Sequence, residues 1–275
     1  MNLLRSEILR AIAATLGLAF LTSSAGSAAT DIPAISAKDL ADRLSGLQDG
    51  TSYVRLRLAV KQPDGATKIV LQLQVKERRT QSAADVLYQV LWPKERKGES
   101  VLLHKADGRP PFGSLFMPPD TVTSLNASQM DDALFGSDLS YRDVIENFFG
   151  WENQAIVGNE VLDRASCVIL ESRPGKGELS TYASVRSWID TRRLVPLRVE
   201  KYLPAGRLAC RIDTTRVGTD DKGHSIPADL TVRGPREDSV TELVGSRITH
   251  DVAYTDRDFA REGLGEISAP SSASE

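Results

Sequence analysis

Leu134-Phe135-Gly136-Ser137-Asp138-Leu139-Ser140-Tyr141-Arg142-Asp143 decides how this chain reads. It has the look of a helix start: Asp138 and Ser140 are placed to cap a turn, and apolar residues follow. The wider segment from Asp131 to Gly150 contributes Leu134, Phe135, Leu139, Val144, Ile145, Phe148 and Phe149, and predicts a helical flap that Gly150 ends. Strands flank it on both sides. Upstream, Val54, Leu56, Leu58 and Val60 alternate with Tyr53, Arg55, Arg57 and Ala59. Ile69, Leu71, Leu73 and Val75 alternate with Lys68, Gln72, Gln74 and Lys76, and the pattern continues through Val86, Tyr88, Val90, Trp92, Val101 and Leu103. Downstream, strands are expected near 152–160, 165–172, 182–190, 195–203, 206–216, 226–233 and 239–250. Alternation at period two gives each strand one oily and one watery face, as in an antiparallel sheet.

Working outward, Ser36 reads as the N-cap of a first helix with Leu40, Leu44 and Leu47 on one face, running up to Gly50. The stretch from Asp107 to Gln129 carries Pro110, Pro111, Pro118 and Pro119 and reads as irregular, with Ser114 to Met117 its one candidate strand. Ala205-Gly206 marks a tight hairpin, Asp220 to Gly223 a polar loop, and Asp256 to Arg261 a short helix on the sheet edge. The expected fold class is therefore α+β: a curled antiparallel sheet, or half-barrel, of about 11–12 strands with helices covering the concave face, since an open sheet of that size must curl.

The chain has 275 residues, of which 41% are hydrophobic and 26% charged, enough for one sizeable core. Aromatics make up 6%, which argues against stacked platforms for sugars or bases. The formal charge is −3 without a block of like sign, which argues against a nucleic-acid partner. Arg5 and Arg10 precede the apolar run Ala11 to Leu21, and Ser27 and Ala29 follow in the small-x-small spacing of a signal-peptidase site. The expected division is a signal peptide over 1–29, one domain over 30–264 and a disordered tail over 265–275. Such a protein is exported to the periplasm. Export permits a disulfide, but two strands should separate Cys167 from Cys210, so packed free thiols are favoured.

Covalent chemistry is not marked. His104, His224 and His250 follow no metal-ligand spacing, so no metal is expected. There is no G-x-S-x-G elbow and no glycine-rich phosphate loop. Asp131-Asp132 and Asp220-Asp221 sit in polar stretches and read as solvated loops. A hydrolase built from dispersed acids and these histidines would lose activity when His104, His224 or His250 is changed; nothing in the sequence favours it. The reading is a protein with no catalytic residues and no cofactor.

What remains is an apolar container. Phe135, Phe148, Phe149 and Trp151 cluster in a chain poor in aromatics, on a flap tethered by loops above a sheet with no second sheet to cover it. Ligand sites in curved sheets sit at the concave mouth and are mostly apolar. At about 0.8 kcal/mol per buried methylene, a chain of about fourteen carbons gains on the order of 10 kcal/mol before ordering costs. Trp92, Phe135, Phe148 and Phe149 are the expected ligand-binding residues, with Trp188 a candidate on the other half of the sheet.

These residues also resemble a known family. Leu134 to Asp143 is similar to the signature of outer-membrane lipoprotein-sorting proteins of the LolA-like superfamily, and so are the segments that follow. Those are Gly158-Asn159-Glu160, Cys167 to Glu171, Trp188-Ile189-Asp190, Leu194 to Glu200 and Gly206-Arg207-Leu208. The resemblance spans about Val54 to Val252. It implies a half-barrel with a helical lid over an apolar cavity, in a monomeric periplasmic carrier or chaperone. Such a carrier would bind acyl chains of lipoproteins or lipids for transfer to the outer membrane. The alternative it implies is a periplasmic sensor or adaptor working with an inner-membrane RND-type transporter or an envelope-stress regulator. The chain departs from the pattern at Thr121-Val122-Thr123-Ser124, where relatives carry basic residues.

Overall fold

The alternating segments all form strands. The computed structural model describes residues 35–235, 238–245 and 247–269. Two α-helices occur there, α1 (Ala37–Gly46) and α2 (Tyr141–Ile145). The strands in chain order are β1 (Gly50–Lys61), β2 (Thr67–Arg79), β3 (Ala83–Trp92), β4 (Ser100–Ala106), β5 (Phe112–Met117), β6 (Thr121–Leu125) and β7 (Asn153–Leu162). They continue as β8 (Ala165–Arg173), β9 (Ser184–Asp190), β10 (Val195–Tyr202), β11 (Leu208–Thr219), β12 (Ser225–Arg233), β13 (Val240–Gly245) and β14 (Thr249–His250). All join one 14-stranded sheet in the order β6-β5-β4-β3-β2-β1-β13-β12-β11-β10-β9-β8-β7, with β14 also on β1. Every pairing is antiparallel.

The strand count exceeds the expected 11–12 for two local reasons. The segment expected to be irregular contains β6, whose β-branched Thr121, Val122 and Thr123 pair with β5 across the Pro118-Pro119 turn. The strand expected over 239–250 divides into β13 and β14.

The sheet is two meanders sharing a centre: β1 pairs with β13, and β6 and β7 are the two free edges. Because β6 and β7 are consecutive in sequence, the chain between them must travel from one edge to the other. That strap is the expected flap. Its Met130, Leu134, Leu139, Tyr141 and Ile145 pack with Val75, Val86, Val101 and Leu103 of β2–β4 and with Cys210 and Val232 of β11 and β12. Farther along, Phe149 packs with Leu40, Ala41 and Leu44 of α1 and with Leu170 and Ile189.

The strap is not one helix. Three 3-10 turns, Ala127–Gln129, Leu134–Gly136 and Phe148–Gly150, flank a five-residue α2. The backbone explains the interruptions. Phe135 and Gly136 take φ of 52° and 82°, which an α-helix cannot accommodate. Ser140 then restarts the helix through a capping box with Asp143, fulfilling the expected cap. Ser36 likewise caps α1, accepting from the Asp39 amide. A cover made largely of helix is thus replaced by short turns.

The other sheet face is not simply wet. On β2–β4 the C-terminal segment lies against it: Phe259 and Leu264 pack on Leu87 and Leu102. Gln74 Nε2 donates to Gln89 Oε1 (2.8 Å), and Gln89 Nε2 and Ser100 Oγ donate to the Leu264 carbonyl (3.0 and 2.8 Å). Lys76, expected to face water, is 2% exposed and pairs with Asp258 (2.8 Å). The short helix expected at the sheet edge is a 3-10 turn, Asp256–Phe259, on this face. Of the tail expected to be disordered, Ser268 accepts from Lys76 Nζ at 3.2 Å, and residues 270–275 lie outside the described residues. The signal peptide expected over 1–29 also lies outside them. Among the described residues no helix is long and apolar enough to cross a membrane.

Cys167 and Cys210 are buried free thiols on β8 and β11, with β9 and β10 between them as expected.

Candidate functional site

The strap is pinned to the sheet by a buried ion pair. Lys201 Nζ lies 2.7 Å from Asp143 Oδ1, and the two side chains are 2% and 3% exposed. Tyr182 Oη donates to the same oxygen (2.8 Å), while the Ser140 amide and hydroxyl donate to Oδ2 (2.8 and 2.7 Å). The ammonium also sits over the rings of Phe148 and Tyr182, 5.7 and 5.3 Å from their centroids. Burial pushes the Asp143 carboxyl up, but Lys201 and the Ser140 donors outweigh it and hold the group below its ordinary pKa. For Lys201 burial works downward and Asp143 more than offsets it. Arg79 extends the pinning by donating to the carbonyls of Val144 and Ile145 at the end of α2 (2.9 and 3.2 Å).

Two hollows flank this pin. One, about 450 Å³, is bounded by Asp131, Asp132, Asp138, Ser137, Ser140 and Thr181 and by the smaller apolar set Leu139, Leu203, Ala209, Cys210 and Pro235. The second, about 370 Å³, lies where the end of α1, the end of α2, the β9–β10 turn and the start of β12 meet. Leu44, Leu47, Val144, Phe148, Phe149, Leu194, Ile226 and Ile248 contribute to its walls, and so do the charged or titratable Asp49, Glu77, Arg79, Asp143, Glu146, Asp220, His224 and His250. A volume within the range of about 300–1,000 Å³, lined by large apolar side chains together with polar and charged groups, suits a small-molecule site. The second hollow is the better candidate for a hydrocarbon chain.

The five expected ligand residues are not gathered in one place. Phe148 and Phe149 adjoin each other (centroids 4.4 Å apart) and both line the apolar hollow. Trp151 completes their group, 6.3 Å from Phe148. Phe135 is half-buried elsewhere on the strap, among Leu58, Leu71, Leu73 and Val90, with Arg96 over its ring. Trp92, at the end of β3, is 50% exposed. Trp188 faces away from the strap: Val185 and Ile189 of the same strand point to it, whereas Trp188 packs with Cys167, Val195 and Leu197 and donates to Glu160 (2.7 Å).

No curated protein matches the sequence. A family model described as "Uncharacterized protein" matches residues 83–266, more than half of the chain. The chain belongs to that family, and its fold is LolA-like. A DUF1329 family protein from Desulfovibrio piger superposes with a TM-score of 0.75 at 22% identity, covering 83% of this chain and 97% of that one. A domain described as an outer membrane lipoprotein-sorting protein from Vibrio parahaemolyticus gives 0.73 at 17% identity, covering 84% and 98%. A LolA superfamily protein from Nitrosomonas europaea gives 0.66 at 18% identity, covering 83% and 99%.

Sequence reasoning passed over several residues of this LolA-like fold. Lys201 and Asp143 are one case; the signal was available, since Lys201 lies two positions beyond Val199 and so shares its inward face. Glu146 is another. It is 8% exposed and accepts from Ser180 Oγ (3.0 Å). Burial pushes its pKa up, against the pull of Lys105, Lys201 and Arg142. A carboxyl raised in the folded state weakens the fold as pH climbs from its unfolded value through its folded one. Glu146→Gln should therefore melt higher than wild type at pH 7, with the difference shrinking toward pH 4; thermal melts across that range check it.

The histidines divide. His104 binds Asp85 (2.7 Å) and stacks on Phe112 (centroids 4.9 Å apart). His224 and His250 both approach Asp220, at the border of the apolar hollow. A hydrolytic site using all three is not assembled.

Proposed function

We propose that this protein is a non-enzymatic periplasmic carrier that shelters an acyl chain of a lipoprotein or lipid during transfer toward the outer membrane. The observation that carries this reading is the hollow of about 370 Å³ walled by Phe148, Phe149, Leu44, Val144 and Ile226 between strap and sheet. Each methylene placed against these side chains contributes about 0.8 kcal/mol. The sorting role in the Vibrio parahaemolyticus domain's description is in keeping with this reading.

The strap's seat supports opening as well as closure. Its apolar contacts and the Lys201–Asp143 pin hold it down. Among the described residues, buried Asn147 Oδ1, Trp151 Nε1 and Ser187 Oγ find no hydrogen-bond partner. Such orphaned groups each cost about 1–3 kcal/mol, which lowers the cost of lifting this end of the strap.

The rival is a sensor or adaptor that grips an inner-membrane RND-type transporter or an envelope-stress regulator through the same fold. Native mass spectrometry of protein purified from the cell envelope, followed by lipid extraction, separates the two. A carrier yields a stoichiometric acyl ligand. A clean unliganded mass with no lipid in the extract contradicts it and favours the adaptor.

A further inference from the structure

Asp220, Asp221 and His250 come together from two segments 29 positions apart, the β11–β12 turn and β14. Their ligand-capable atoms all lie within 4.8 Å of one another. The arrangement of each carboxylate is specific. Asp220 spends Oδ1 on the amides of Lys222 and His224 (3.0 and 2.7 Å) and presents Oδ2 to two imidazoles. His224 Nδ1 is 3.2 Å from that oxygen and His250 Nδ1 is 3.7 Å from it. Asp221 spends Oδ2 on the His250 amide (2.8 Å) and presents Oδ1 to His250 Nδ1 (2.7 Å).

Each carboxylate thus has one oxygen fixed by backbone donors and the other aimed at a common point that an imidazole nitrogen shares. Backbone donors on the non-ligating oxygen are what orient metal-binding carboxylates. The Asp220 side chain is 2% exposed and that of His250 15%, so this point is partly withdrawn from water. Lys222, the nearest cation in sequence, turns to Asp251 instead (2.8 Å).

We propose that Asp220, Asp221 and His250 form a binding site for a divalent transition-metal ion, with water completing its coordination. Mixed imidazole and carboxylate donors suit zinc and its neighbours, in contrast to the all-oxygen shells of calcium and magnesium. His250 Nδ1 ligates as the neutral imidazole with its N–H on Nε2. The ion ties the β11–β12 hairpin to β14, which pairs with β1 through Ser52↔His250 and Tyr53↔Thr249. Since Asp220, His224 and His250 also line the apolar hollow, the metal braces one end of it. The site does not depend on what the hollow carries.

The test uses the exported chain without an affinity tag, stripped with a chelator and titrated with zinc by calorimetry and with cobalt by visible absorption. One ion per chain is expected, with cobalt bands of low-symmetry coordination. His250→Gln and Asp221→Asn should each weaken binding about tenfold or more, with unchanged circular dichroism. His104→Gln, remote from the cluster, should bind as wild type. Asp220→Asn keeps an oxygen for the two amides and should also weaken binding, which covers the case in which one of the other variants misfolds. Absence of saturable binding by wild type overturns the proposal, as does wild-type affinity in the folded His250 and Asp221 variants.

Discussion

Replacing Lys201 with Met should cost about 3–5 kcal/mol of stability. The mechanism is not loss of a favourable contact alone. Lys201 and Asp143 are both almost fully buried, so removing the ammonium strands a carboxylate in a low-dielectric interior. The Ser140 and Tyr182 donors remain but supply no full charge. The double variant Lys201→Met, Asp143→Asn should recover part of the loss, because Asn keeps an acceptor for Ser140 and no charge is left unpaired. Urea denaturation of the four members of this cycle gives the coupling energy.

The pH dependence follows from the directions of the two shifts. Asp143 is held below its ordinary pKa, so its contribution is present above about pH 4 and is lost as pH falls through the folded value. Lys201 is raised, so its contribution is present below its ordinary value of 10.5 and is lost as pH rises through the folded one. The gap between wild type and Lys201→Met should therefore be widest between those limits and narrow beyond them. Equal stability of the two proteins at neutral pH would mean that the pin does not form.

The second large effect concerns the ligand. Phe148 lines the apolar hollow, touches Phe149 and Trp151, and is half-buried. Burying a phenyl side chain is worth about 1.5–3 kcal/mol, and a carboxylate in its place adds a desolvation penalty for any hydrocarbon beside it. Phe148→Asp should lower affinity for a fluorescent fatty acid by about tenfold to a hundredfold, with strand content by circular dichroism preserved. Phe148→Leu retains an apolar wall and should lose far less. Equal uptake by wild type and the folded Asp variant would remove Phe148 from the site.

Much of this fold was legible because amphipathic strands write their faces into the sequence. Val54 to Val60 and Ile69 to Val75 pair with each other, as their alternation implies. Strand β6 was not legible: most of its residues are exposed, so it has no oily face to reveal. The strap was legible as an apolar segment and not as a set of turns, because composition is silent about the positive φ of Phe135. Lys76 sits at a polar position on β2 yet is buried, since the segment that covers it comes from the far end of the chain. Of the expected ligand residues, Phe148 and Phe149 are neighbours in sequence and remain so in space, whereas Phe135 shares their strap but not their place on it, and Trp92 and Trp188 lie elsewhere on the sheet. The cluster at Asp220 joins two segments by tertiary pairing, and no local spacing records that.

The most direct test of the central claim, that the hollow between strap and sheet takes a hydrocarbon chain, is an equilibrium titration of delipidated wild-type protein with a fatty acid of about fourteen carbons. The gross burial energy, about 10 kcal/mol less ordering costs, predicts saturable uptake of one chain per protein at micromolar concentration. Linear, non-saturating partition, or no uptake at all, would contradict it.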